Sequence, residues 1–268
     1  MLDTLMAIAA DAAKLVMTIY EQPFQVDYKG PSDPVTQADR LANQLICERL
    51  NQAFPDIPIV AEESVPEHWA NYRASERIFF VDPVDGTREF VAKNGQFIVM
   101  IGLVEGDRPT RAVMHAPALN QVWAGEVGVG AFHRDAQGMT KKLSPLHDRA
   151  LKEATLIASK SKSGRLSSSE VKRLNPARLT SIGSAGLKGA AVADGSADVY
   201  YAKKKAGCLW DTCAPEAILR ALGGEFTDAQ GQLIDYRAAD IEQNNGAVAA
   251  APGLHREVIT VLRGEMTL

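Results

Sequence analysis

Residues 77–90, RIFFVDPVDGTREF, restrict the possible folds more than any other stretch of the chain. Ile78, Phe79, Phe80 and Val81 form a short apolar run that suits a buried strand. Asp82 and Asp85 follow within four positions, separated by Pro83 and Val84, and Gly86-Thr87 comes directly after. Like charges this close repel, and burying either one is costly unless positive charge lies between them. A fold that accepts this segment must therefore set the end of an apolar strand beside a cation.

The bulk of the chain does not advertise that cation. Its 268 residues carry 29 basic and 33 acidic side chains, a formal net charge of −4. Such a balance offers no general attraction to nucleic acid polymers or anionic membranes. Hydrophobic residues at 46% and charged residues at 23% are ordinary for a globular protein, and the length suffices for one large core or two intimately packed parts. The first twenty residues interrupt an apolar pattern with Asp3, Asp11 and Lys14, so they read as a helix rather than a signal peptide. No stretch approaches the roughly 20 apolar residues of a membrane span. Cys47, Cys208 and Cys213 are odd in number and lack paired spacing, which points to a reducing cytoplasm.

Apolar spacing predicts helices over 2–20 and 36–53, with a turn or mobile loop over 22–36, where three prolines and a glycine fall. Residues 57–64 read as a strand ending at Glu62-Glu63, 65–76 as a polar connection, and 77–82 as the next strand. From Gln96 to Gly138 the Gly-Asp, Ala-Pro and Gly-rich breaks suggest an antiparallel meander of about four strands. Beyond it the pattern alternates, with strands at 153–159, 177–183, 197–202, 225–228 and 246–251. Helices fall at 167–174, 185–195, 210–224 and 252–264. We therefore expect an α+β part over 1–142 that carries the carboxylates, and an α/β part over 143–268 that completes the site. No linker separates them, so they should share an interface.

The acids with a common position are Glu62 and Glu63, Asp82 and Asp85, and Asp211 after Trp210: all sit at strand ends or a helix start, where α/β-type folds gather ligands. Oxygen donors without paired His or Cys suit a hard cation, Mg²⁺ above all. The five histidines, His68, His115, His133, His147 and His255, have no zinc spacing. Each acid alone has an ordinary explanation: Asp211 as a helix cap, Glu62-Glu63 as a solvated pair, Asp82 as a strand end. The whole segment 82–87 is harder to explain that way. Pro83 fixes the turn so that both aspartates can face one point, Gly86 admits close approach, and Thr87 offers a hydroxyl at a helix start where the Gly86 and Thr87 amides can meet an anion.

With these residues in order, the sequence resembles the inositol monophosphatase superfamily, whose pattern has an upstream Asp, a Glu-Glu, a DP-x-DGT and a WD. Here these are Asp39, Glu62-Glu63, residues 82–87 and Trp210-Asp211. Within it the chain is most similar to the 3'(2'),5'-bisphosphate nucleotidases: residues 38–50, 82–97, 181–201 and 207–228 match that group, and Lys188 stands where the group has a lysine. One departure is Ser159-Lys160-Ser161-Lys162, where the group commonly has Ser-Arg-Ser-His. The resemblance implies a layered sugar-phosphatase fold with alternating helix and sheet layers, of mixed α+β and α/β character. It implies two Mg²⁺ ions, with room for a third. Glu62, Asp82 and the Val84 carbonyl would hold the first, Asp82, Asp85 and Asp211 the second, and Glu62 the third. Thr87 and Asp39 would position the attacking water or take its proton, and Glu63 would stand behind the ligands. The substrate would touch Glu62, Val84, Asp85, Gly86, Thr87, Ser159, Lys162, Lys188 and Asp211. The implied substrate is a bisphosphorylated nucleotide, cleaved by a monomer or homodimer.

The metal residues meet only phosphate, so inositol phosphate, sugar bisphosphates and histidinol phosphate stay open as substrates. Lys162, Lys188 and the run Lys203-Lys204-Lys205 favour a substrate with more than one phosphate. Ser159-x-x-Lys162 has serine-acylase spacing but lacks the partner motifs of that chemistry. A binding protein without turnover would have lost part of the set, and none of it is replaced. A Walker loop and a complete GxGxxG are both absent from the sequence.

Overall fold

Alternation along the strands decides the layering. The computed structural model describes residues 1–30, 33–69, 71–160 and 166–264. Helix α1 (Leu2–Tyr20) leads to a hairpin of β1 (Val26–Gly30) and β2 (Asp33–Thr36), then α2 (Gln37–Ala53), β3 (Ile59–Ala61), β4 (Arg77–Asp85) and the short α3 (Thr87–Val91). A meander follows: β5 (Ile98–Glu105), β6 (Arg108–Ala116), β7 (Gln121–Glu126), β8 (Gly130–Arg134) and β9 (Thr140–Lys142). Strands β3 to β9 form one seven-stranded sheet in sequence order, parallel only between β3 and β4. Phe79 and Val81 of β4 face α1 and α2, packing with Leu5, Ile8, Ile46 and Leu50. Ile78 and Phe80 face the opposite side, a core that includes Leu187 and Ala190 as well as Cys213 and Ile218. A strand buried on both faces has no polar side to show, which is why it reads as an unbroken apolar run.

The remainder builds a second sheet: β10 (Thr155–Ser159), α4 (Ser168–Leu174), β11 (Arg178–Ile182), α5 (Ala185–Ala193), β12 (Val199–Ala202), α6 (Leu209–Ala221), β13 (Glu225–Thr227), β14 (Ala247–Ala250) and α7 (Pro252–Arg263). Its strand order is β11-β10-β12-β14-β13. One face meets α5 and α6, and the other is covered by α4 and α7 through Leu174, Leu254 and Val258. The layers thus run helix, sheet, helix, sheet, helix, as the resemblance implies.

Two local expectations change. Residues 26–30 and 33–36 pair as the antiparallel strands β1 and β2 rather than lying in a loop; side chains such as Tyr28 are exposed, so no apolar alternation marks them. The meander expected over 96–138 forms as four strands, β5 to β8, and the short exposed β9 adds a fifth beyond that stretch. Strand β4 continues through Pro83 to Asp85, with its pairing to β5 irregular between Asp82 and Asp85, rather than ending at Asp82. Proline is tolerated at such a bulge because no ladder hydrogen bond is required there.

Candidate active site

The end of β4 and the start of α6 converge. Asp82, Asp85 and Asp211 each offer a carboxylate oxygen, and these atoms lie within 4.8 Å of one another. The bulge turns both β4 aspartates to one point, and Asp82 Oδ1 steadies it by accepting from the Val84 amide at 3.0 Å. Asp85 Oδ2 accepts from Ser184 Oγ at 2.5 Å and from the Gly186 amide at 2.6 Å. Asp211 caps the first turn of α6, with Oδ2 accepting from the Cys208 amide at 2.6 Å. The cap expected of Asp211 and the metal reading are therefore compatible, since a carboxylate has lone pairs enough for both.

Electrostatics separates this cluster from ordinary acids. Burial, then the nearby Glu62, Asp85 and Asp211, pushes Asp82 well above the usual carboxylate range. Asp211 rises likewise through burial and then Asp85 and Glu62, with the Cys208 amide and Lys188 opposing. Glu62 follows β3 and is raised to about 7 by burial, despite Lys29. Lys29, from the β1–β2 hairpin, donates to Glu62 Oε1 at 3.0 Å and also pairs with Glu63. Burial disfavours its charge, yet the two glutamates raise its pKa overall. All-oxygen donors, close spacing and unfavourable self-repulsion together fit a hard divalent cation.

A second group stands beside the cluster. Asp39 is buried at the start of α2, where Oδ2 accepts from the Thr36 amide at 2.8 Å and from Thr36 Oγ1 at 2.7 Å. Thr87 Oγ1 donates to Asp39 Oδ1 at 2.9 Å and lies 3.2 Å from the Val84 carbonyl. Burial raises the pKa of Asp39, and the Thr36 and Thr87 hydrogen bonds work against that rise. Between β4 and α3, Gly86 has φ +99°, and a Cβ there would come 2.7 Å from the Gln96 carbonyl oxygen. Only glycine turns the chain at this point without displacing the next strand.

The cluster opens into a cavity of about 440 Å³ that Asp85, Thr87, Ser159, Lys188 and Asp211 help to line. The sequence model of the Inositol monophosphatase family matches residues 1–267. The chain belongs to the inositol monophosphatase family. It is 32% identical to the 3'(2'),5'-bisphosphate nucleotidase CysQ of Escherichia coli O6:H1 over 253 residues, covering 92% of this chain and 98% of that one. The crystal structure of CysQ from Bacteroides thetaiotaomicron superposes with a TM-score of 0.76 at 28% identity, covering 92% of this chain and 96% of that one. The Thermotoga maritima IMPase superposes with a TM-score of 0.81 at 26% identity, covering 98% and 96%.

Within this family site, Glu62, Asp82, Val84, Asp85, Gly86, Thr87, Ser159, Lys188 and Asp211 all line the one cavity. Asp39 reaches it through Thr87, and Glu63 is joined to it through Lys29. Lys162 lies outside the described residues. Lys188 is buried, with Nζ donating to the Ser184 carbonyl at 2.6 Å, so it forms the floor rather than the rim. Of the run 203–205, Lys205 lines the cavity, whereas Lys203 turns away to Glu170 at 3.2 Å. Sequence reasoning missed Lys29, Ser184 and Lys205 as individual contributors. Lys29 could have been found only by pairing β1 with β2, and Ser184 only by knowing that the start of α5 packs beside Asp85.

Proposed function

We propose that this chain is a Mg²⁺-dependent 3'(2'),5'-bisphosphate nucleotidase that removes the 3'-phosphate of 3'-phosphoadenosine 5'-phosphate, giving AMP and inorganic phosphate. The observation that carries the reading is the triad of carboxylates within 4.8 Å at the floor of a cavity with cationic side chains. The name borne by the Escherichia coli relative supports the choice of substrate. Glu62, Asp82 and the Val84 carbonyl would hold one ion, Asp82, Asp85 and Asp211 a second, and Glu62 a third. Bound divalent ions supply charge neutralisation for the phosphate and acidify water.

The chain's own groups do the rest. Thr87, fixed by Asp39, positions the attacking water and relays its proton, and the raised pKa of Asp39 suits it to accept. The water oxygen bonds to phosphorus, the bond from phosphorus to the 3' oxygen breaks, and the leaving oxygen takes a proton from solvent while Asp39 returns to solvent the one it accepted. Ser159 and Lys188, which line the cavity together with Lys160 and Lys205, favour the second phosphate. Lys162 belongs to the same reading. Glu63 supports Glu62 by sharing Lys29. The two parts, 1–142 and 143–268, would then divide the labour, the first holding the water and most cation ligands and the second supplying Asp211 and the substrate wall. No helix among the described residues is long and apolar enough to cross a membrane. A cytoplasmic monomer or homodimer completes the proposal.

The test is phosphate release with Mg²⁺ across 3'-phosphoadenosine 5'-phosphate, 3'-AMP, inositol 1-phosphate, fructose 1,6-bisphosphate and histidinol phosphate. The bisphosphate nucleotide should have the highest kcat/KM. A higher value for inositol 1-phosphate would move the assignment to the alternative branch.

A further inference from the structure

Ser184 stands immediately before α5 with φ 55° and ψ 125°, a backbone conformation that residues bearing a Cβ rarely adopt. Such strain persists only where the surroundings over-determine it. Two contacts accompany it. Ser184 Oγ accepts from the Leu187 amide at 3.0 Å, capping α5, and donates its single proton to Asp85 Oδ2 at 2.5 Å. One proton and two lone pairs satisfy both at once. Two residues on, the Gly186 amide donates to the same Asp85 oxygen at 2.6 Å. That approach needs glycine: a Cβ at 186 would run into Met100 Sδ, lie 2.7 Å from Ile98 Cγ2 and lie 3.2 Å from Asp85 Oδ2.

We infer that Ser184 is a positioning residue, whose hydroxyl acts with the Gly186 amide to occupy Asp85 Oδ2 and so leave Oδ1 as the oxygen that Asp85 presents to a cation. Asp85 is a flexible carboxylate at the very end of β4, and nothing in β4 itself dictates which oxygen faces its neighbours. Two donors on one oxygen remove that freedom. They come from positions 99 and 101 residues away in the chain, at the start of a helix sandwiched between the two sheets. Ser184, Ala185 and Lys188 also line the cavity. The element that walls the cavity is thus the element that aims the carboxylate.

The inference rests on the reading of the acidic cluster as a metal site, and its test uses binding rather than turnover. Mn²⁺ is titrated calorimetrically into wild type, Ser184→Gly and Ser184→Ala without substrate, and thermal unfolding is followed in EDTA. Glycine relieves the backbone strain and is a tolerable cap, so Ser184→Gly should unfold near the wild-type temperature, while Ser184→Ala keeps the strain, loses the cap and should unfold lower. Both lack the hydroxyl, so both should bind Mn²⁺ roughly 10- to 100-fold more weakly, the usual cost of losing a partner that orients a ligand. A purely structural serine predicts that affinity follows stability. Wild-type affinity in Ser184→Gly therefore overturns the inference, as does a Ser184→Gly chain that fails to fold, because the hydroxyl would then be holding the helix. Wild type that binds no Mn²⁺ would instead remove the metal reading on which the inference stands.

Discussion

Helix α6 carries two acids, one fully buried and one half-buried, that the fold treats in opposite ways. Glu216, in its middle, is fully buried, ion-paired with Arg108 of β6, and accepts from Tyr236 Oη at 2.9 Å. Asp211, in its first turn, has two carboxylates for neighbours. No cationic side chain of the described residues makes a salt bridge with Asp82, Asp85 or Asp211. Lys188 senses Asp85 and Asp211 but spends its hydrogen bond on the Ser184 carbonyl. A buried acid given its own cation by the fold is part of the scaffold. Acids gathered without one, as Asp211 is with buried Asp82 and Asp85, fit the reading of a cation site, and the contrast between Glu216 and Asp211 can test it.

The contrast can be broken most sharply by neutralising each acid in turn. Asp82→Asn and Asp211→Asn should each lower kcat by ~10³ or more, since on the proposed reading several kcal/mol of charge stabilisation would be lost with the cations they would hold. Glu216→Gln should leave kcat of the folded enzyme near wild type while costing about 1–3 kcal/mol of stability, because half-buried Arg108 loses its partner on α6. Steady-state kinetics paired with denaturant unfolding reads both. Near-wild-type turnover in either aspartate variant would remove it from the ligand set.

A smaller effect has the opposite sign on stability. In EDTA, Asp82→Asn should relieve repulsion and raise Tm by roughly 2–4 °C, as about 1 kcal/mol does for a chain of this size. Saturating Mg²⁺ should reverse the order, stabilising wild type more than the variant. A variant that is less stable than wild type in EDTA would mean that Asp82 holds the fold together by itself.

How much of this was legible in the sequence follows from the range of each contact. Residues 82–87 could be read because both aspartates, the glycine and the threonine are local, and Asp211 because it directly follows Trp210. The layered architecture was readable from the resemblance and from the alternation of strands and helices beyond residue 150. The hairpin was not, because β1 shows its polar side chains to solvent and its two strands gain their meaning by placing Lys29 against Glu62 and Glu63. Nor was the Arg108–Glu216 pair, or the Ser184–Asp85 hydrogen bond. Each joins residues about a hundred positions apart, and no local pattern encodes such a meeting.

The smallest expected effect lies in the pH dependence of stability. Burial raises Glu216 from 4.5 to about 7, with Arg108 and Tyr236 opposing, and Glu62 is raised to a similar value. An acid with a raised folded pKa holds a proton that the unfolded chain has released. Its contribution is therefore full below about 4.5 and is lost as pH rises through about 7. Metal-free protein should show this loss from both groups, and saturating Mg²⁺ should abolish the part due to Glu62 while leaving that of Glu216. A pH profile of Tm unchanged by Mg²⁺ would mean that the cation does not meet Glu62.

The most direct test is phosphate release from 3'-phosphoadenosine 5'-phosphate by protein stripped with EDTA and then titrated with Mg²⁺. The account predicts no release above background from stripped protein, and activity that rises from that background and saturates as Mg²⁺ is restored. Turnover that survives complete removal of divalent cations would contradict it, because the gathered carboxylates would then be serving some purpose other than holding the ions that phosphate transfer needs.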